Sequence, residues 1–207
     1  MAITNYETRE LILKIMYFGA SGSGKTENLR SIYRLTSPEV RAGLFELEGK
    51  GQSSFFECVP LSLGYVRDYH IKLHVYSYAK SPFMPSVDGS LLRGLDGYVV
   101  VFDSRKEAFG ENLSALDETN LMLTEAGYNL ADLPRVIQYN KMDLNGLVPL
   151  NILREELNPG GSLECESVAI SSEGTMETLR LISQQVLREI ISEDELNPSS
   201  GGIDGRV

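Results

Sequence analysis

Residues 19–26 read Gly-Ala-Ser-Gly-Ser-Gly-Lys-Thr, and the fold prediction begins with them. It matches GxxxxGK[ST], a pattern in which glycines let the backbone curl so that successive N–H groups point at phosphate oxygens. The pattern has this meaning when it links a strand to a helix. Here the apolar run Leu11–Phe18 precedes it, and Leu29, Ile32 and Tyr33 follow on one side of a predicted helix. The sequence therefore predicts a phosphate-binding loop, with a plain Gly/Ser turn as the structural alternative.

The residues of this loop have separate expected roles in holding a nucleotide. Lys25 can reach the β- and γ-phosphates, while the hydroxyl of Thr26 can ligate Mg²⁺. The N-terminus of the following helix adds the positive end of its dipole. The predicted nucleotide-binding positions in the loop are Gly19, Ser21, Gly22, Ser23, Gly24, Lys25 and Thr26.

A second motif, Asn140-Lys-Met-Asp143, follows Pro134–Tyr139, which is predicted to be a buried strand. Ligands of open α/β sheets bind at the carboxyl ends of strands, so this position favours a binding loop over an ordinary polar turn. The Asp143 carboxylate can accept two hydrogen bonds from the guanine N1–H and exocyclic amine, a donor pair that adenine lacks. The Lys141 stem can lie along the base plane, and Asn140 can bond the purine edge and neighbouring loops. The two motifs together predict a guanine-nucleotide site.

Outward from these motifs, short apolar runs alternate with helical patterns, which is typical of an α/β domain. Gly97–Phe102 is almost continuously apolar, as expected for a central parallel strand. Ile71, Leu73 and Val75 alternate with polar residues and predict a half-buried strand. The fold class that follows is α/β, a mostly parallel central sheet with helices on both faces.

The remaining segments complete one predicted domain over residues 1–192. Helices are expected at about 107–126 and across the late stretch that carries Met176, Leu179, Ile182, Val186 and Ile190 at helical spacing. Ser167–Ile170 predicts a short late strand, and residues 37–68 predict irregular structure with short strands. An acidic tail with Gly and Ser, residues 193–207, is expected to be disordered.

Composition limits the functions open to this domain. Its 207 residues carry 29 acidic and 19 basic side chains, and the net charge of −10 gives no electrostatic reason to bind nucleic acid or an anionic membrane. No stretch reaches the roughly 20 apolar residues of a membrane span, so no direct membrane insertion is expected. Cys58 and Cys165 lack the spacing of zinc ligands and are expected to be reduced thiols of a cytoplasmic protein.

Further segments carry a resemblance to a known family. They are Asn28-Leu29 after the phosphate loop, Phe55-Phe-Glu-Cys-Val-Pro-Leu61, Leu92-Arg-Gly-Leu-Asp-Gly97 and Gln138-Tyr-Asn-Lys141. With them, the chain from about Asn5 to Ile191 resembles the bacterial MglA family of Ras-like small GTPases, which governs cell polarity and gliding motility.

This resemblance implies a Ras-like P-loop NTPase fold, GTP and GDP as ligands, Mg²⁺ as cofactor and conformational switching in two loops. It also implies an MglB-like Roadblock protein as activating partner, together with polarity effectors that recruit the protein to a cell pole. Val168-Ala169-Ile170 would then be the third base-side loop, with the Ala169 amide near the guanine oxygen and Ile170 beside it.

Several positions depart from the residues usual in that family. Gln52 and Ser53 replace an Arg-Thr pair, so Ser53 keeps a hydroxyl that could ligate Mg²⁺, whereas Gln52 cannot supply a guanidinium. Lys80 and Ser81 replace the Gly-Gln of the second switch loop, so the glutamine that orients the attacking water is missing. Ser21 adds a side chain where a glycine is usual.

These departures keep the phosphate cradle and remove groups that stabilise the transition state, so slow or absent intrinsic hydrolysis is expected. No residue is assigned a catalytic role. The leading hypothesis is a nucleotide-gated regulator of polarity or motility with weak GTPase activity. The second is a pseudo-GTPase scaffold that docks proteins whatever the nucleotide, and the third is a competent GTPase whose partner supplies both missing groups.

Overall fold

The computed structural model describes residues 3–5, 7–48, 54–66, 68–78 and 91–196, and in these residues the backbone forms eight strands and four α-helices. The strands are β1 (Ile3–Asn5), β2 (Glu10–Phe18), β3 (Phe45–Glu48), β4 (Ser54–Val66), β5 (Tyr69–Tyr78), β6 (Gly97–Asp103), β7 (Arg135–Asn140) and β8 (Leu163–Glu166). The helices are α1 (Lys25–Leu35), α2 (Phe109–Glu125), α3 (Leu150–Leu157) and α4 (Thr175–Leu196), and short 3₁₀ turns cover Lys106–Ala108 and Ala169–Ser171.

All the described strands belong to one sheet, in the order β3-β4-β5-β2-β6-β7-β8, with β1 paired antiparallel to the start of β2. The pairings from β5 through β2, β6 and β7 to β8 are parallel, while β3, β4 and β5 form an antiparallel edge. This arrangement confirms the predicted mostly parallel α/β sheet. It also brings the carboxyl ends of β2, β6 and β7 to one edge of the sheet.

Strand β6 is an inner strand of the sheet, and its side chains are apolar enough to be buried on both faces. Every residue from Gly97 to Asp103 is buried. Successive side chains of a strand point to opposite faces. Val99 and Val101 therefore pack in a cluster with residues of α1 and α4, whereas Val100 and Phe102 pack in a second cluster with residues of α2 and α3. The predicted helices on both faces of the sheet are thereby confirmed.

Strand β4, which lies between β3 and β5, corrects the expectation of irregular structure over residues 37–68. Pro60 and Gly64 are poor strand residues, yet both lie inside this continuous strand. Gly64 has φ +86° and lies at a bulge that shifts the register with β5, and the Pro60 carbonyl accepts a hydrogen bond from the Ala42 amide at 3.0 Å. Hydrogen bonds to adjacent segments of the same chain thus outweigh the local preference of Pro60 and Gly64 for a turn.

The expected late strand Ser167–Ile170 is also wrong. The strand is Leu163–Glu166, and Ala169–Ser171 forms a 3₁₀ turn. Only residues 163–166 pair with β7, and the chain then turns so that the Val168 amide bonds the Glu173 carbonyl at 3.0 Å.

The boundaries of the other helices and strands differ less from those predicted from the sequence. The first strand in the chain is β1, ahead of the predicted Leu11–Phe18, and α3 had no sequence prediction. Helix α4 continues to Leu196, four residues into the segment 193–207, and the rest of that segment lies outside the described residues. Among the described helices, none combines the length and apolarity that crossing a bilayer requires.

Candidate nucleotide-binding site

The phosphate loop joins β2 to α1, and its glycines are required by close approach of other backbone and side-chain atoms. Gly19 and Gly24 have φ +138° and +107°, values that L side chains rarely adopt. A Cβ on Gly19 would lie 2.2 Å from the Val101 carbonyl oxygen, and a Cβ on Gly24 would lie 2.1 Å from Asn140 Nδ2. The loop is therefore held directly against β6 and the second motif.

Lys25 begins α1, and its side chain folds back beneath the loop. Its Nζ donates hydrogen bonds to the carbonyl oxygens of Gly19 at 2.7 Å and Ala20 at 2.8 Å. Burial lowers the pKa of Lys25 from 10.5 to about 8, and the nearby Glu57 carboxylate opposes that shift. The ammonium is thus held at the loop, and its contact with phosphate stays a prediction.

The hydroxyl residues of the loop occupy three different environments. Ser21 is exposed at the tip and Thr26 is partly buried at the start of α1. Ser23 is fully buried, its Oγ has no hydrogen-bond partner among the described residues, and its amide already bonds the Ala20 carbonyl at 3.2 Å. Ser23 therefore contributes to the shape of the loop, and its amide is not among the N–H groups that the loop leaves free.

Asn140, at the end of β7, ties three loops together. Its Nδ2 donates to the Ser23 carbonyl at 2.8 Å, and its Oδ1 accepts hydrogen bonds from the Ala169 amide at 2.9 Å and from Ser167 Oγ at 3.1 Å. The predicted bonds to neighbouring loops are present. The Ala169 amide, expected near a guanine oxygen, is directed at Asn140, because the 3₁₀ turn that begins at Ala169 aims it there.

Asp143 is exposed at the mouth of a cavity of about 420 Å³. The cavity brings predicted phosphate-loop and base-side residues together, and it is lined by Gly24, Glu27, Arg105, Asn140, Lys141, Asp143, Leu144, Val168, Ala169 and Ile170. Ile170 is 76% exposed and, with Leu144, supplies apolar surface at the rim. This combination of apolar rim and a few directed polar groups suits a planar base.

Sequence reasoning missed two residues, Arg105, which lines this cavity together with Lys141, and Asp103, which pairs with both of them. Lys141 Nζ and Arg105 NH2 each lie 2.7 Å from Asp103 Oδ2. Burial of the Asp103 carboxyl opposes its ionisation, but hydrogen bonds from Arg105 and Lys141 outweigh burial and hold its pKa at about 2. An acidic residue at the end of the central strand was the signal that could have identified this group.

Glu57 is a third residue that sequence reasoning missed. It lies in β4, is 1% exposed, and accepts a hydrogen bond from Ser77 Oγ through Oε2 at 2.5 Å, while Oε1 has no partner among the described residues. A buried carboxylate oxygen without a partner is costly unless a cation or donor satisfies it. The signal in the sequence was one acidic residue inside an apolar strand.

Some predicted positions lie outside the described residues, namely Gln52, Ser53, Lys80 and Ser81. Within the described parts of the chain, no three His, Cys, Asp or Glu side chains come together as a metal site. Cys58 and Cys165 are both free thiols.

Comparison with known proteins supplies evidence of a different kind. No protein-family model matches the chain. Over 191 residues the chain is 36% identical to the "Mutual gliding-motility protein MglA" of Myxococcus xanthus (strain DK1622), an alignment that covers 92% of this chain and 98% of that protein.

Proposed function

Because the chain belongs to the MglA family of Ras-like small GTPases, we propose that it is a guanine-nucleotide-binding switch that regulates cell polarity or gliding motility. The name of the relative suggests the biological process. The observation that supports nucleotide binding is the junction of the two motifs, where Asn140 Nδ2 bonds the Ser23 carbonyl at 2.8 Å beside one shared cavity. A phosphate loop and a base-reading loop joined in this way can bind both ends of one nucleotide.

The phosphate end of the proposed site depends on Lys25 and the start of α1. Lys25 is positioned by the carbonyl oxygens of Gly19 and Ala20, so a small movement of its flexible side chain brings the charge to a phosphate oxygen. Free N–H groups at a helix N-terminus favour anions. These groups stabilise bound phosphates without requiring any residue from the switch loops.

Mg²⁺ belongs to the proposal because its preferred ligands are oxygens, and the oxygens near the phosphate loop fit that preference. Thr26 and Ser53 would hold the ion, and the unpartnered Oε1 of the buried Glu57 is a further oxygen that a cation would satisfy. When bound, Mg²⁺ neutralises phosphate charge.

The base end of the site depends on Asp143, whose two acceptor oxygens match the donor pair of guanine. An experiment on this residue tests the proposed function directly. Affinities for GDP, GTP and ATP should be measured by calorimetry with and without Mg²⁺, for the unmodified protein and for Asp143→Ala. We expect Asp143→Ala to weaken GDP binding by about 2 kcal/mol or more, since it removes charged hydrogen bonds.

The matched control is Asn145→Ala, a change in the same stretch of chain as Asp143. Asn145 is exposed like Asp143, but its side chain does not line the cavity. Its replacement should therefore leave GDP affinity unchanged. Equal affinity of the unmodified protein for ATP and GTP would end the proposal.

We further propose that intrinsic hydrolysis is slow and that a Roadblock-type partner and polarity effectors engage the switch loops. Gln52, Lys80 and Ser81 motivate the first part, because none can supply the arginine or the water-orienting glutamine that such hydrolysis uses. The GTP state should be preferred by partners, since such loops order around γ-phosphate and Mg²⁺.

A nucleotide-independent scaffold is the alternative, and one observation favours it. The Lys25 ammonium, the Ala169 amide and the Asn140 side chain all find hydrogen-bond partners inside the chain, so the loops can hold their shape through protein contacts alone. Partner binding measured with GTP, with GDP and without nucleotide separates the two candidates. A scaffold would engage its partner equally with GTP, GDP or no nucleotide.

A further inference from the structure

The Asp103 carboxylate holds two cations at the end of β6. Its side chain is 6% exposed, Lys141 Nζ lies 2.7 Å from Oδ2, and Arg105 engages both oxygens through Nε at 3.0 Å to Oδ1 and NH2 at 2.7 Å to Oδ2. Paired hydrogen bonds from a guanidinium fix its plane as well as its position. One carboxylate therefore sets the placement of both cationic side chains.

Hydrogen bonds from neighbouring residues hold the backbone of Asp103 in place. Asn112 of α2 donates from Nδ2 to the Asp103 carbonyl at 2.7 Å and accepts from the Asp103 amide at 3.2 Å. On the other side, the Ser104 amide bonds the Asn140 carbonyl at 3.0 Å. Lys141 has φ +64°, an uncommon conformation for a residue with a side chain, which directs its stem toward Asp103. These contacts fix the wall of the cavity before any ligand arrives.

The hydrogen bonds of Arg105 show which part of its guanidinium remains for a ligand. Nε and NH2 are directed at Asp103, and NH1 donates to Glu107 at 3.0 Å, so the in-plane donors are largely occupied. The side chain is nevertheless 32% exposed and lines the 420 Å³ cavity. Its flat face is left to make contact, and guanidinium faces stack on aromatic rings.

We propose that Asp103 is a positioning residue of the base site, and that it holds the Lys141 stem and the Arg105 guanidinium face as one wall against which the purine ring packs. This inference rests on the proposed guanine-nucleotide function and adds Arg105 as a base-contacting residue. The wall contacts the face of the purine, whereas Asp143 reads its edge. The wall should therefore stabilise guanine and hypoxanthine nucleotides equally.

A conservative substitution separates this role from a structural ion pair. Arg105→Lys keeps a positive charge beside Asp103 but has no planar face. We expect it to weaken GDP binding about fivefold, as Arg105→Ala does, because the stacking contact is lost in both. The exposed Arg180→Lys on α4, whose guanidinium also pairs with a carboxylate, is the matched control and should bind GDP as the unmodified protein does.

The second measurement tests whether Asp103 acts through its two cations. Asp103→Asn should weaken GDP and IDP by the same factor, about tenfold, and should cause no further loss in an Arg105→Ala/Lys141→Met background. Asp143→Ala should instead weaken GDP more than IDP, because IDP lacks the exocyclic amine. Thermal unfolding without nucleotide accompanies each variant.

The outcomes are distinct. Two results would contradict the proposed role of Asp103 and Arg105 without affecting the proposed function. The first is that Arg105→Lys binds GDP like the unmodified protein. The second is that Asp103→Asn weakens binding equally in the unmodified protein and in the Arg105→Ala/Lys141→Met background. An unmodified protein that does not select guanine nucleotides would overturn both the proposed role and the proposed function. The proposal is supported if Arg105→Lys and Asp103→Asn each weaken GDP and IDP binding by the same factor, while only Asp143→Ala changes the preference between the two bases.

Discussion

At the scale of single residues, Lys25 combines two features that make its charge sensitive to pH. Its side chain is only 6% exposed, and burial lowers its pKa to about 8. A lysine that contacts phosphate must be charged, so a bound nucleotide favours the protonated form. Binding must therefore take up a proton whenever the pH exceeds the pKa of the free protein.

The first prediction follows from this proton uptake. GDP affinity should be flat below about pH 8 and about tenfold weaker at pH 9 than at pH 7, because binding must then protonate Lys25. Calorimetric titration across pH 7–9 measures this. Lys25→Met, which cannot titrate, is the control and should show weaker binding without that slope. A flat profile for the unmodified protein would contradict the prediction.

Two glycines of the phosphate loop provide a matched pair for a second prediction. Gly22 and Gly24 both have positive φ, but a Cβ on Gly22 would meet nothing within 4 Å, whereas one on Gly24 would lie 2.1 Å from Asn140 Nδ2. We expect Gly22→Ala to cost about 1–2 kcal/mol of unfolding free energy from backbone strain alone. Gly24→Ala should cost more, because it also breaks the Asn140–Ser23 hydrogen bond.

Urea unfolding of both variants measures the difference. The GDP affinity of Gly24→Ala should also fall, because the bond it breaks joins the phosphate loop to the base-reading loop. Equal losses of stability for the two variants would show that the approach of Asn140 does not constrain position 24.

At the scale of elements, helix α4 packs on β6 over a glycine. A Cβ on Gly97 would lie 2.6 Å from Val186 Cγ2 and 3.1 Å from Ile182 Cδ1. Buried polar contacts fix neighbouring elements as well, since Gln138 of β7 bonds Asn28 of α1 and Thr178 of α4 through Nε2 at 3.0 and 2.8 Å. The close apolar contact at Gly97 and the hydrogen bonds of buried amide side chains together determine how the helices pack on this face of the sheet.

The third prediction tests the contact between α4 and β6. Gly97→Ala should destabilise the protein by about 1–3 kcal/mol, because close-packed cores resist added volume. Val186→Ala removes the nearest methyl groups, so the double variant should lose less than the sum of the two single variants. Chemical denaturation of the three variants gives the coupling, and strict additivity would count against the contact.

At the scale of the whole molecule, the proposed activity depends on groups that only act together. The phosphate loop follows β2 and the base loop follows β7 at one edge of the sheet, and Gln52, Lys80 and Ser81 depart from the residues usual in the family. Under the proposed function, binding and hydrolysis therefore depend on different groups and are separable. A protein with an intact cradle and altered switch residues should bind nucleotide well and turn it over poorly.

The fourth prediction tests this separation. Combining Gln52→Arg, Lys80→Gly and Ser81→Gln should raise single-turnover GTP hydrolysis, whereas each change alone should do little, because these groups act as a unit. The assay uses saturating Mg²⁺, with and without a Roadblock-type partner. Adding Lys25→Met to the triple variant should abolish the gain. Rapid hydrolysis by the unmodified protein alone would show that other groups catalyse the reaction.

The features of this protein that are encoded by short contiguous segments could be predicted from the sequence alone. The phosphate loop, the Asn140–Asp143 motif and the buried strand β6 are each recognisable in a short stretch, because local backbone conformation and apolar patterning carry the signal. The α/β class followed from their alternation. The long strand β4 was missed, since Pro60 and Gly64 disfavour strands locally and only pairing with β5 overrides them.

Which side chains contact one another within the site became known only from the folded arrangement. Asp103 meets Lys141 across 38 positions of chain, and Asn140 meets Ser23 across 117. Glu57, in β4, lies near Lys25, which begins α1. Such contacts arise because parallel strands bring distant carboxyl ends to one edge of the sheet. No local pattern records which residues will stand opposite one another there, so their partnership becomes visible only when the sheet is assembled.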